Sequence, residues 1–406
     1  MGFKDKERTN HYRGCINLRF ENKSRGENRV SHFVSLNGIG GVQKNFTEYI
    51  ESSSSSNFKH TVYTLGDIDN QYRSNIKALD IKNIFNLIRL IIDIISKYTV
   101  VHFYNNLSSL KVAIFLLFIP SRKLIIHERG TAWNHSTKLG FITRFNAYKA
   151  DLILSNSKAS KTILIEKFLI PKGKIVVINN GINTLNVINS NIKKRELRND
   201  FSVGFIGRID SPKGIHVLID AIKNPKLSNI NLKIAGDGPL LKASKKQAAN
   251  YKNITFLGRV NDLHSFFNQI DLLVVPSIRE PFGNVCLEAG LHKVPVLAAN
   301  VDGIPEIIKH GVSGELMTPT EIVHLEASAD MVPLPEYVVN PKTQKLQLPL
   351  QLNHFKLAEK ILELSQDTQR LDYYSIELHN TVVSKFSMFR FSKELDNIYL
   401  GLIGEK

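Results

Sequence analysis

Twice along the chain a short apolar run ends in a glycine-rich turn and passes directly into a stretch of helical periodicity. The first copy is Arg29–Leu36, then Asn37-Gly38-Ile39-Gly40-Gly41, then a helix expected from about Val42 to Ile50. The second is the strand Phe201–Ile206, the loop Gly207–Gly214 and the helix Ile215–Ile222. Few architectures accept that repeat. An apolar run without polar alternation reads as a strand covered on both faces, as in a parallel sheet. A parallel strand needs a crossover before its neighbour, usually a helix. Glycines in the turn let backbone N–H groups approach a phosphate at the helix start. One such turn alone is a common connection and carries little weight.

The intervening sequence keeps the alternation. Thr61–Leu65, Val100–Tyr104, Lys123–His127, Leu152–Ser155 and Ile175–Ile178 read as strands, and Ile81–Lys97, Ser108–Phe118 and Lys158–Phe168 as helices. Ser52–Ser56 is a serine loop, and the polar stretch Asn183–Asp200 marks a domain boundary. Strands follow at Leu232–Ala235, Ile254–Leu257 and Pro295–Ala299. At 406 residues the chain exceeds what one ordinary core supports. The expected class is therefore α/β, with two Rossmann-like domains facing a central cleft. The first spans 29–185 and is rejoined by a C-terminal helix at 386–406. The second spans 186–385, and residues 1–28 form a polar extension. Pro333, Pro335, Pro341 and Pro349 make 321–350 an irregular insertion.

A third turn, DLLVVPSIREPFGNVCLE, carries the most chemistry. Asp271–Val275 reads as a buried strand, which Pro276 and Pro281 cannot continue. After Gly283 a helix spans Asn284–Leu291, with Asn284 its expected cap. The first-turn N–H groups and the helix dipole favour an anion. Glu280 and Glu288 bracket the turn and suit hydroxyl-rich groups on either side. A diphosphate flanked by hydroxyls is the chemistry of a nucleotide-sugar.

In order, the motifs GIGGVQ, GRIDSPKG, IAGDGPL, FLGRV, EPFGNVCLE and DGIPEIIKHGVSGEL resemble the retaining glycosyltransferases of GT-B fold, family 4, also called glycosyl transferases group 1. The resemblance covers about Arg29 to Thr318. It implies transfer of a sugar from a UDP- or GDP-sugar to an acceptor hydroxyl, with the anomeric configuration kept. Arg208 and Lys213 would hold the diphosphate and offset charge on the leaving group. Glu288 would meet ribose hydroxyls, and Glu280 the transferred sugar. Gly283, Asn284 and Val285 would offer backbone N–H groups to phosphate, with Gly40 and Gly41 approaching from the other domain. Arg259 and Val260 would flank the nucleobase. His127 follows a strand on the cleft side, where similar enzymes place a histidine near the reacting sugar. Glu128-Arg129-Gly130 departs from the commoner pattern, which leaves open which of His127, Glu128 or Arg129 meets the acceptor. Asp302 stands where the family often has glycine. Glu306 either faces the sugar or caps a helix.

No cofactor is implied, and the reaction is expected to be metal-independent. The rival metal reading rests on Asp67-Ile68-Asp69, whose acid-x-acid form can chelate a cation but also suits a polar turn. An epimerase or phosphorylase of the same architecture, and a non-catalytic basic scaffold, are the other rivals. Cys15 and Cys286 are too few for a disulfide framework, no apolar leader opens the chain, and no run reaches membrane-span length. A cytoplasmic protein is expected. The net charge is +16, and twelve Lys/Arg from Lys111 to Lys174 face only Glu128, Asp151 and Glu166. That basic stretch fits a solvated surface or an anionic membrane surface, with a saccharide or lipid-linked acceptor. Nucleic acid is not expected, because no basic-aromatic module appears.

Overall fold

The computed structural model describes residues 28–38, 40–53, 58–184, 201–325 and 331–404. The extension before Asn28, Ile39, most of the serine loop and of the boundary segment, and 326–330 lie outside the described residues.

The first half builds one parallel sheet from β1 (Asn28–Phe33), β2 (Phe58–Thr64), β3 (Ala78–Asp80), β4 (Thr99–Tyr104), β5 (Leu124–Glu128), β6 (Leu152–Ser155) and β7 (Ile175–Val177), ordered β3-β2-β1-β4-β5-β6-β7. β4 and β5 are buried at every position, which is why they read as mostly apolar runs, interrupted by Thr99 and His102 in β4 and by His127 and Glu128 in β5. The crossovers are α1 (Gly41–Ser52), the one-turn α2 (Asn70–Arg73), α3 (Ile84–Ile95), α4 (Leu110–Phe118), α5 (Gly140–Lys149) and α6 (Lys158–Thr162). The helix expected to Phe168 continues beyond Thr162 as a wider π-turn, Ile163–Lys167.

The second half repeats the design with β8 (Phe201–Ile206), α7 (Ile215–Ile222), β9 (Ile230–Ala235), α8 (Leu241–Gln247), β10 (Ile254–Gly258), α9 (Leu263–Phe267), β11 (Leu272–Val275), α10 (Asn284–Leu291), β12 (Val296–Ala299) and β13 (Glu315–Met317). Its sheet runs β10-β9-β8-β11-β12-β13. The sheet pairings in both domains are parallel. Strand order reverses between β1 and β4 and between β8 and β11. Ligands of open α/β sheets bind beyond the carboxyl ends of the strands at such points. The glycine turns leave β1, β8 and β11 there.

Where irregular chain was expected, the insertion forms two small antiparallel pairs. β14 (Glu321–Ile322) pairs with β17 (Leu350–Gln351), and β15 (Val338–Asn340) with β16 (Lys345–Gln347). Its prolines stand outside these strands, where no ladder N–H is lost. Val339 is fully buried in the core of the first domain. The unexpected helix α5 buries Ile142 and Ala147 but exposes Phe141 and Tyr148, so it shows no single apolar stripe.

Three helices close the chain: α11 (His354–Ser365), α12 (Thr368–Lys385) and α13 (Met388–Gly404). α12 lies on α10, and a side chain at Gly290 would meet Val382 and Leu378 at 2.7 and 2.8 Å. The chain then crosses back. Ile182 N–H donates to Phe386 O at 2.8 Å and Met388 N–H to Ile182 O at 2.9 Å. Phe391, Leu395 and Tyr399 of α13 join Val30, Tyr49 and Ile125 in the first domain's core.

Candidate active site

The second domain supplies one wall. In the loop after β8, Arg208 Nε lies 3.0 Å from Asp210 Oδ2. Lys213 Nζ donates to Glu280 Oε2 at 2.6 Å, joining this loop to the one after β11. That closeness needs Gly214: its φ is +66°, and a Cβ there would lie 2.0 Å from Pro276 O. Asp210 is buried and accepts from Ser211 N at 2.8 Å and from Val332 N of the insertion at 3.1 Å.

Glu280 is buried, and its backbone N–H donates to Asp302 Oδ2 at 2.9 Å. Asp302 Oδ1 accepts from Val339 N at 2.7 Å. The φ of Asp302 is +46°, a conformation easiest for glycine and tolerated by Asp. The carboxylate repays that strain by gripping two backbone donors. Burial pushes it up to about 7, against the pull of those two bonds.

Gly283 (φ +104°) precedes α10 as its cap, so the expected capping role of Asn284 is corrected. With the left-handed residue before it, Asn284 is the first helical residue. Its Oδ1 accepts instead from Asn180 Nδ2 at 2.7 Å. Val285 is half-buried one residue on, and Cys286 is buried with a free thiol.

The first domain closes on this turn. α1 begins at Gly41, and a Cβ there would lie 2.9 Å from Asn284 Nδ2, so the starts of α1 and α10 meet. Lys44 Nζ donates to Glu288 Oε1 at 2.6 Å. Burial pulls the Lys44 ammonium down, but the charge and hydrogen bond of Glu288 outweigh this and leave it raised. Arg129 Nη2 donates to Asn45 Oδ1 at 2.6 Å and Asn180 Oδ1 at 2.7 Å. A polar seam thus runs from Asn45 through Arg129 and Asn180 to Asn284. The Nε and Nη1 of Arg129 have no partner among the described residues. Burial pulls this guanidinium down to about 10, so it stays charged at neutral pH.

His127 is the penultimate residue of β5, fully buried, its ring stacked on His102 at 5.4 Å. Neither ring nitrogen has a partner among the described residues. Burial, then the charge of Arg129, holds its pKa well below the ordinary value, so the ring is neutral at pH 7. Glu128 is fully occupied in its own turn: Oε1 accepts from Gly130 N at 2.8 Å and Ala132 N at 2.9 Å, and Oε2 from Thr131 Oγ1 at 2.8 Å. Of the three neighbours, His127 and Arg129 retain unused polar atoms and Glu128 does not. The loop beyond touches the opposite wall: a Cβ on Gly130 (φ +112°) would lie 2.7 Å from Pro281.

Other residues lie further out. Arg259 is exposed, with Nε 3.3 Å from Asp237, and Val260 is half-buried beside it. They follow β10 at the sheet edge, two strands from the switch point. Glu306 accepts from Ala159 N and Asn179 Nδ2, each at 3.2 Å, so it caps α6 of the first domain. Asp69 Oδ1 caps α2, accepting from Gln71 N at 3.2 Å. Among the described residues no group of three or more His, Cys, Asp or Glu side chains is placed to hold a metal ion.

Sequence reasoning missed Lys44, Asn45 and Asn180. A signal was present for the first two: Gly41, Lys44, Asn45 and Glu48 recur at helical spacing from the glycine turn, marking one polar face of α1. Asn180, in the Asn179-Asn180-Gly181 turn that follows the expected strand Ile175–Ile178, carries no local signal beyond that of a turn.

The model of the Glycosyltransferase Family 4 domain matches residues 39–185, and that of Glycosyl transferases group 1 matches 187–336. An uncharacterized glycosyltransferase of Methanocaldococcus jannaschii is 33% identical over 216 residues, 48% of this chain and 55% of its own. The capsular polysaccharide biosynthesis glycosyltransferase CapM of Staphylococcus aureus is 32% identical over 177 residues, 40% of this chain and 47% of its own. The chain thus spans about half the length of the curated relatives it matches. The structure of Anabaena Alr3699/HepE in complex with UDP-glucose covers 92% of this chain and 99% of its own at TM-score 0.70 and 21% identity, a likeness of fold. Two family models in tandem, over two parallel-sheet domains that meet at their switch points, place the chain in family 4, group 1, of the glycosyltransferases with GT-B fold.

Proposed function

We propose that the protein is a retaining, metal-independent glycosyltransferase that moves a hexose from a UDP- or GDP-sugar to a hydroxyl of a saccharide or lipid-linked acceptor. One observation carries this reading: the starts of α1 and α10 meet, with the Arg208 and Lys213 loop and Glu280 beside them. Two helix N-termini and two cations favour a diphosphate. Glu280 takes hydroxyls of the sugar. Glu288 takes ribose hydroxyls by exchanging them for Lys44. The bond from the anomeric carbon to the diphosphate oxygen breaks, and one to the acceptor oxygen forms on the same face. The acceptor proton passes to the leaving diphosphate, whose growing charge Arg208 and Lys213 offset. Neutral His127, buried beside Arg129, positions the sugar and helps exclude water.

The HepE neighbour, solved with UDP-glucose, supports a uridine donor, and CapM supports surface-polysaccharide synthesis. Work at the inner face of a membrane suits a lipid-linked acceptor of capsule or lipopolysaccharide type. The test is a panel of UDP- and GDP-sugars scored by thermal stabilisation, then product analysis with labelled donor in EDTA. One sugar should stabilise the fold, and its label should reach a glycoside of unchanged anomeric configuration. Stabilisation by none of them, or label recovered only as an epimer or sugar phosphate, overturns the proposal.

A further inference from the structure

The outward side of the first domain is apolar where a water-facing surface would be polar. α3, α4 and α5 carry the chain in one direction across the sheet, from β3 to β4, β5 and β6. Right-handed crossovers put them side by side on one face. Their inward residues, among them Leu90, Leu116 and Ala147, share one core. Their outward residues include Phe85, Ile88 and Ile92 on α3, Ile114 and Phe118 on α4, and Tyr148 on α5. Phe85 is 77% exposed, Phe118 78% and Tyr148 79%. A set of large side chains this exposed on adjoining helices marks a contact surface.

Charge identifies the partner. α4 and α5 contain no acidic residue. The one acid of α3, Asp93, is engaged inward, accepting from Ser31 Oγ and Tyr63 OH, each at 2.7 Å. Arg89, Lys97, Lys111, Arg122 and Arg144 stand exposed among the apolar residues. A second copy would bring one basic face against another. Residues 1–27 carry seven Lys/Arg against four acids, so they too have the wrong sign. No described helix is long and apolar enough to cross a membrane. The pattern is that of helices lying in an interface, with apolar groups among acyl chains and cations among headgroups.

We propose that the outer face of α3, α4 and α5 seats the first domain on an anionic lipid bilayer. The purpose, bringing the cleft to a lipid-linked acceptor, rests on the transfer reading above, but the binding itself does not. The test is flotation of the full chain with vesicles of phosphatidylcholine alone and of phosphatidylcholine mixed with phosphatidylglycerol. The protein should float with the mixed vesicles and far less with the neutral ones. Phe85→Ser and Phe118→Ser should each weaken binding about tenfold or more, and Lys111→Glu about fivefold or more. Thermal stabilisation by the donor, measured on the same variants, should stay at the wild-type level and reads the cleft separately. Protein that floats with neither vesicle, flotation indifferent to both phenylalanine changes, or a dimer that those changes abolish overturns the inference.

Discussion

The two walls of the cleft hold their charges in opposite ways. On the second domain, two of the cations at the cleft are paired and reach solvent: Arg208 with Asp210, Lys213 with Glu280. On the first, Arg129 and His127 are buried, with several polar atoms lacking partners among the described residues. An ion pair whose cation is open to solvent is screened and contributes little to stability, about 0–1 kcal/mol. A buried polar group is part of the fold, because whatever it bonds is left unsatisfied when it goes. The second wall should therefore accept changes that cost activity alone, whereas the first should couple activity to folding.

The largest effect tests the second wall. Arg208→Ala should lower turnover by at least about a hundredfold, in the range for removing one group that meets developing charge. Its side chain is largely exposed, and buried Asp210 keeps its bonds from Ser211 N and Val332 N, so the melting temperature should fall only slightly. Lys213→Ala should match it in turnover and destabilise slightly more, since Glu280 is left buried without its ion partner. Initial rates and thermal melts on both variants check this. Near-normal turnover in either, or a collapsed melt for Arg208→Ala, would erase the contrast.

On the first wall, Arg129→Met should cost about 1–3 kcal/mol of stability, because Asn45 Oδ1 and Asn180 Oδ1 lose their donor. The neighbouring histidine separates fold from chemistry. His127 has no ring hydrogen bond to lose among the described residues, and Phe has a similar shape. His127→Phe should melt within about 1.5 kcal/mol of wild type while turnover falls about tenfold or more. Equal stability losses for the two variants would show that the wall is uniformly structural.

The same asymmetry decided what the sequence could tell. The second wall was legible because its groups sit in short loops fixed by glycine: Arg208 and Lys213 share one loop, and Glu280 and Glu288 bracket one turn. Chain neighbours stay neighbours after folding. The first wall is assembled across long separations, with Asn45, Arg129 and Asn180 converging from three elements. No local pattern announces that. The central strands were plain because burial on both faces leaves mostly apolar residues, as in Leu272–Val275 and Val296–Ala299. β3 and β13, three residues each, were too short to show a period. The insertion misled because its prolines punctuate the hairpins, and what orders it is long-range: Val339 in the first domain's core, Val332 and Val339 on Asp210 and Asp302.

Acid should divide the domains. His32, His102 and His127 are buried in the first sheet, and burial holds each well below the ordinary value of 6.5. A lowered histidine pKa gives stability that is complete above 6.5 and lost as pH falls below it, because the unfolded chain binds the proton and the folded one does not. Each such ring takes away up to about 1.4 kcal/mol per pH unit in that range. The first domain should therefore melt earlier than the second at pH 5 and with it at pH 7.5, seen as a split calorimetric transition. A single transition at both values, with unchanged melting temperature, would count against buried neutral rings.

The smallest effect falls where the walls touch. Lys44 reaches from α1 to Glu288 on α10, and the pair is partly exposed. On the proposed reading, in which Glu288 takes ribose hydroxyls, it links the walls only while no donor is bound. Removing Lys44 frees the carboxylate for its hydroxyl partners and forfeits about 1 kcal/mol or less of ion pairing. Lys44→Ala should accordingly lower the donor KM by up to about fivefold, that same free energy, and leave kcat near wild type. The substitution also distinguishes a gate from a ligand. Were the Lys44 ammonium to contact the diphosphate instead, the variant would raise KM by more than about tenfold. In that case the first wall would supply an exposed cation of its own, and the division of labour between buried and solvent-facing charge would no longer hold.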